Sequence, residues 1–180
     1  MSGPPGVDLT EQRGVGEGDA LQRLWTPHRM SYVGQVDKGD CPFCAIPAMS
    51  DEDGLIVGRA TTAYAVLNLY PYNPGHLMVV PYRHVALYEE LEPAETVELG
   101  TLTQRAIRAV RHASSPHGLN IGMNQGRVAG AGIADHLHQH VVPRWGGDAN
   151  FMPVIGQTKV LPQLLGETRA LLAAAWAEVP

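Results

Sequence analysis

Between Asp53 and Val85 the chain reads DGLIVGRATTAYAVLNLYPYNPGHLMVVPYRHV, three apolar and β-branched runs (about 55–58, 62–68 and 76–81) cut apart by Gly, Pro and Asn. Runs this short, with turn formers between them, fit strands joined by turns. Connections of a few residues suit antiparallel neighbours, because a parallel pair needs a long crossover. This block commits the chain to an antiparallel sheet, and the remaining segments have to pack against it.

The period then changes. In PAETVELGTLTQRAIRAVRHAS, residues Leu99, Leu102, Ala106, Ala109 and Ala113 recur at three and four, Pro93 and Glu95 favour the start, and Pro116 lies beyond the end; a helix of about five turns is expected. GLNIGMNQG resumes strand character at Leu119 to Asn124, a loop of small residues runs from Gly126 to Gly132, and another strand is expected over about 135–143. VLPQLLGETRALLAAAWAEV closes the chain as an amphipathic helix, with Gly166 a weak point inside it. The fold class is α+β: an antiparallel sheet of about five strands, one long inserted helix and a C-terminal helix, the helices packed on one side.

With 180 residues and 44% apolar content the chain can bury a core without disulfide staples. Residues 1–20, MSGPPGVDLTEQRGVGEGDA, read as a flexible tail, and 21–180 as a single domain. The tail lacks the apolar stretch of a signal peptide, and no segment approaches the roughly 20 continuous apolar residues that cross a bilayer. A cytoplasmic protein with no membrane partner is expected. A formal charge of −5 argues against nucleic acid, whose phosphate backbone attracts basic surfaces, yet leaves room for a small anion in a local pocket.

ADHLHQHVVPR, Ala134 to Arg144, holds three of the chain's eight histidines at every second position. On a strand, His136, His138 and His140 point to one face and Leu137, Gln139 and Val141 to the other, with successive imidazoles about 7 Å apart by the strand rise. A lone histidine is commonly a solvated surface group; three in strict alternation are better explained by chemistry. They can hold a catalytic divalent metal with an open fourth position. Alternatively one imidazole is a nucleophile tuned by its neighbours, which requires a hydrogen bond at one ring nitrogen to leave the other lone pair available.

His136-Leu137-His138-Gln139-His140-Val141-Val142 resembles the motif of the histidine triad (HIT) superfamily of nucleotidyl transferases and hydrolases, His-x-His-x-His followed by two apolar residues. The likeness extends over CPFC (Cys41 to Cys44), YAVLNLYPYNPGHLMVVPYRHV and GLNIGMNQG, and PRWGGDANFMPVIGQTKVLPQLL is similar to the actinobacterial branch that phosphorolyses diadenosine tetraphosphate. The resemblance implies attack by His138 on an α-phosphorus, a covalent AMP-histidine, and ATP and ADP as products when phosphate is the acceptor. It also implies that His140 hydrogen-bonds the phosphate or bridging oxygen and that His136 supports the array. Asn68 matches a ribose contact, Asn124 a phosphate contact, and Ala131, Gly132 and Ile133 a turn that offers backbone N–H groups to phosphate oxygens. Duller roles stand beside these: Asn68 as turn chemistry before Pro71, the glycines as a hairpin connection. Related alternatives are a hydrolase of dinucleoside polyphosphates or nucleoside phosphoramidates, and a purine nucleotide-binding module without turnover.

Two departures from the motif bear on the chemistry. Ala131-Gly132 stands where many dinucleotide hydrolases of the superfamily carry Gly-Gln, so a glutamine that would orient water is missing, which favours inorganic phosphate as acceptor. Gln139 is polar where the motif places an apolar residue, which suggests a sheet edge or a subunit contact.

Cys41 and Cys44 are the only cysteines, at the two-residue spacing that lets both sulfurs reach one tetrahedral ion. The resemblance implies His84 and His136 as the other ligands of a structural Zn2+ that fixes His136; the alternative is a reduced pair in a turn packed by Phe43. No organic cofactor is expected. His76, in the turn after Pro74-Gly75, reads as structural, and His28, His112 and His117 as ordinary solvated side chains. Trp145 borders the nucleotide or belongs to the core or an interface. The superfamily implies a homodimer or a dimer of dimers.

Overall fold

The computed structural model describes residues 41–148 and 163–180; the expected tail over residues 1–20, His28 and most of the PRWGGDANFMPVIGQTKVLPQLL stretch lie outside them. A four-residue helix α1 (Pro42–Ala45) begins on Pro42 directly after Cys41. Strands β1 (Ile56–Arg59), β2 (Ala63–Leu67) and β3 (Leu77–Pro81) follow, then helix α2 (Pro93–Ser114), β4 (Gly118–Met123), β5 (Gln139–Arg144) and helix α3 (Leu165–Glu178). The sheet is wholly antiparallel with strand order β1-β2-β3-β5-β4.

Alternation along the strands sorts the side chains. Ala63, Ala65, Leu67, Leu77, Val79 and Val141 face α2 and α3 and join Leu99, Leu102, Ala106, Leu172 and Trp176 in the main core. Phe43, Ile56, Tyr64, Val66, Met78 and Val80 form a second, smaller cluster on the other face. Helices therefore cover one side of the sheet, and the histidines share the other with α1.

Local chemistry sets the helix ends. At the start of α2 the Glu92 side chain and Glu95 form a capping box, and Glu95 also takes two hydrogen bonds from Arg83, at 2.6 and 2.9 Å. At its other end Ser115 adopts a left-handed cap with φ 44°. The helix is 22 residues long, about six turns rather than five. Helix α3 starts at Leu165, so Gly166 sits in its first turn and not in its interior, where its backbone cost would be felt. Gly58 in β1 is required by packing: a Cβ there would lie 2.2 Å from the ring of Trp176, which closes α3 onto the sheet. Among the described residues no helix is long and apolar enough to cross a membrane.

Candidate active site and metal centre

The strand expected over 135–143 is shorter at its N-terminal end. Only from Gln139 does β5 pair with β3, so His140 lies in the ladder while His136 and His138 precede it. The reason is on β3: Pro81 has no N–H with which to extend the pairing, and Leu137 instead donates its N–H to the carbonyl of Val85 at 2.7 Å. The alternation survives. Phe43 packs edge-on against His136 and tilted against His138, with centroids 5.5 and 4.9 Å away, and His138 meets His140 at 4.9 Å. The latter two rings lean together and stand closer than the strand rise suggests.

Hydrogen bonds to backbone groups fix the tautomers, because a carbonyl can only accept. His138 donates Nδ1–H to the carbonyl of His136 at 2.9 Å, which leaves its Nε2 with a lone pair. His136 donates Nε2–H to the carbonyl of Pro81 at 2.9 Å, so its Nδ1 lone pair faces the cysteines. His136 and His138 are 1% and 5% exposed. Burial lowers both imidazoles from the ordinary value, against the opposing pull of those same carbonyl bonds, so both are neutral at pH 7.

His76, read from the sequence as a structural turn residue, has a larger part. It is fully buried, and its Nδ1 accepts the N–H of Tyr72 at 3.1 Å. Its proton must then sit on Nε2, which stands 2.9 Å from Nδ1 of His140. His140 accepts there, so in its neutral form it carries its own proton on Nε2. Tyr72 packs tilted against His76, 4.7 Å away, and stacks on His140 at 5.9 Å. The only sequence signal was parity: His76 precedes Met78 and Val80 by even steps, on their face of the sheet.

Other expected residues gather nearby. Asn68 continues the Tyr64 and Val66 face of β2; its Oδ1 accepts the N–H of Tyr70 at 2.9 Å, and its Nδ2 lies 3.5 Å from His76 Nδ1. The turn role is thus real and coexists with a position beside the histidines. In the β4–β5 register Gly122 faces His140, and Asn124 follows directly after β4, its Nδ2 near Gly130 of the small-residue loop. Ala131 is buried, with its N–H on the carbonyl of Gly126, and Ile133 packs on the cluster containing Phe43, which brings Gly132 to the same side.

Two open readings are decided by the fold. Gln139 is not at a sheet edge, since β5 lies between β3 and β4; it pairs with Val79 and Met123 and faces the helices, half-buried. Trp145 lies away from the histidines, lining an apolar cavity of about 230 Å³ with Pro74, Ser114 and Leu172. His112 and His117 are exposed, as expected, His117 accepting the N–H of Gly146 and His112 pairing with Glu178 at 2.9 Å.

Cys41, Cys44, His84 and His136 place their donor atoms within 4.8 Å of one another. Individual separations are 3.3 Å for Cys41 Sγ to His136 Nδ1, 3.3 Å for Cys44 Sγ to His84 Nδ1 and 3.5 Å for Cys44 Sγ to His136 Nδ1. Sulfur and nitrogen ligands at about 2.3 and 2.0 Å from one tetrahedral ion stand about 3.5 Å apart. The pinned tautomer of His136 aims the required lone pair inward. This group is able to hold a metal ion, and the resident cysteines, both free thiols, suit zinc.

A helix-backed antiparallel sheet whose open face carries a chain of oriented imidazoles defines a class of histidine-dependent nucleotide-handling proteins. The HIT domain family model matches residues 50–147, and the chain belongs to that family. It is 57% identical over 177 residues, 93% of this chain and 91% of the relative, to a Mycobacterium tuberculosis protein named AP-4-A phosphorylase. Among solved structures it resembles a zinc-bound histidine triad family protein from Mycobacterium smegmatis (TM-score 0.62, 28% identity, 77% of this chain and 94% of that one). A histidine triad nucleotide-binding protein from Sulfolobus tokodaii is similar (TM-score 0.63, 26% identity, 77% of this chain and 93% of that one).

Proposed function

We infer that this protein is a dinucleoside polyphosphate phosphorylase that cleaves diadenosine tetraphosphate with inorganic phosphate to ATP and ADP. The observation that carries this is the His138 tautomer: Nδ1–H is held by the His136 carbonyl, so a buried, neutral imidazole presents Nε2 as a nucleophile. The phosphorylase name of the mycobacterial relative supports phosphate as the acceptor.

In the first half, His138 Nε2 forms a bond to the α-phosphorus, the bond from phosphorus to the bridging oxygen breaks, and its electron pair departs with ATP. Nε2–H of His140 hydrogen-bonds the departing oxygen or the phosphoryl group, held in place by His76. In the second half a phosphate oxygen bonds to the same phosphorus, the N–P bond breaks, and ADP leaves with His138 neutral again. Asn124 and the Gly132–Ile133 turn are assigned to the phosphoryl oxygens and Asn68 to the ribose. A Zn2+ on Cys41, Cys44, His84 and His136 would supply rigidity rather than chemistry. The carbonyl that orients His138 belongs to His136, so whatever immobilises His136 also immobilises the nucleophile. We assign residues 21–180 to one domain that works in the cytoplasm as a homodimer or dimer of dimers; an edge of β4 that no strand among the described residues pairs with supports the assembly.

The test is incubation with diadenosine tetraphosphate, with and without phosphate. ADP formed only with phosphate is the expected result. AMP plus ATP in phosphate-free buffer would make the protein a hydrolase, and AMP binding without turnover would leave a binding module.

A further inference from the structure

Among the described strands β4 is at the edge of the sheet, and its two faces differ in chemistry. Leu119 and Met123 pack on the helix-side core, while Gly118, Asn120 and Gly122 make up the row that continues the His140 face. Gly122 lies directly across from His140. Its backbone is not in the left-handed region, where only Gly75, Gly126, Gly130 and Gly147 among the described glycines fall, and a Cβ built on it meets nothing within 4 Å. Neither conformation nor packing calls for glycine there, in contrast to Gly58. Glycine inside a strand weakens it, and one recurring reason to keep it is the close approach of a ligand.

A second observation points to the same space. His138 is 5% exposed, its Nδ1 is engaged, and its Nε2 has no hydrogen-bond partner among the described residues. On the β3 side the histidines border the buried apolar cluster of Phe43, Val66 and Met78, which fills that side. The departing oxygen must lie opposite the attacking nitrogen, on the solvent side of the histidine row; with the β3 side filled and Asn68, assigned to the ribose, beside His76, the side left open to the rest of the chain is the one over β4. There it meets the space above Gly122, the amide of Asn120, and Arg144, which donates to Asn120 Oδ1 at 2.9 Å and pairs with Asp148 at 2.6 Å.

We propose that the histidine-facing row of β4 is the subsite for the departing polyphosphate, and that Gly122 keeps the path of that chain open. This rests on the phosphorylase reaction inferred above and names where its leaving group lies. A bulky residue at Gly122 would obstruct the chain while leaving the nucleoside monophosphate half of the site intact.

The experiment compares the parent with Gly122→Val, which places a strand-favouring side chain in open space. We expect kcat/KM for diadenosine tetraphosphate with phosphate to fall about tenfold or more while the Kd for AMP, which has no departing chain, changes less than about twofold. Asn120→Leu, of similar volume, should shift the same two readouts in the same direction and serves alone if circular dichroism shows Gly122→Val unfolded. Tetraphosphate turnover within about twofold of the parent overturns the proposal, as does parallel loss of AMP affinity, which would place Gly122 in the nucleoside half. Failure of the phosphorylase reaction itself would look different: the unsubstituted protein would form no ADP.

Discussion

His76 offers a separable test of how the site is held. Its Nδ1 accepts the Tyr72 N–H at 3.1 Å, and its Nε2–H is donated to His140 at 2.9 Å. His76→Phe keeps an aromatic ring in a fully buried position but removes both functions. Each orphaned group costs about 1–3 kcal/mol when buried; because Tyr72 and His140 are only half-buried, water covers part of the loss and about 2 kcal/mol in total is expected. In turnover, His140 loses the bond that selects its tautomer and holds its ring. One such bond, about 1–1.5 kcal/mol, corresponds to about tenfold in kcat/KM, with AMP affinity unchanged. His76→Gln separates the two effects, since its amide N–H can reach His140 while its acceptor oxygen no longer stands at the Nδ1 position that takes the Tyr72 N–H. Urea unfolding together with ADP formation from diadenosine tetraphosphate should find both substitutions destabilising but only His76→Phe slow. A His76→Phe enzyme within twofold of the parent, or a Gln variant as slow as the Phe variant, would refute the tautomer relay.

Further outcomes follow from the remaining geometry. His138→Ala should abolish turnover while leaving AMP binding largely intact, since it removes the nucleophile and little contact area; activity within about tenfold of the parent would contradict this. Zinc should be found near one equivalent per chain, as one four-ligand group predicts, and should be absent from the Cys41→Ser, Cys44→Ser double variant; a metal-free, folded and active parent would remove the zinc assignment. The Arg144 guanidinium above all, with Trp145 N–H and Asn73, holds the Asp148 carboxyl well below the usual carboxylate range. A depressed acid stabilises the fold above its unfolded value of about 3.9 and ceases to do so as pH falls toward the folded value. The stability gap between the parent and Asp148→Asn should therefore be constant near neutral pH and narrow below about pH 4. A gap unchanged between neutrality and pH 3 would show that the ion pair contributes nothing there.

Much of the architecture was written in short-range pattern. Three apolar runs became β1 to β3, the three-and-four spacing of Leu99, Leu102 and Ala106 became α2, and GLNIGMN alternates in β4, because burial on one face imposes its period on any segment whatever its partner. The same periodicity put His136, His138 and His140 on one side of the chain, and the two-residue spacing of Cys41 and Cys44 made a metal pair conceivable. What the chain alone did not determine depends on which strand lies beside which, and in what register. His76 and His140 are 64 positions apart and touch only because β3 pairs with β5. Pro81 cuts the ladder short before His138, Gln139 turns inward because β4 covers β5, and Cys44 meets His136 from 92 positions away. Propensity and periodicity report what a residue's own segment prefers. A proton's place on an imidazole is set by the nearest donor or acceptor in space, and only the folded sheet supplies it.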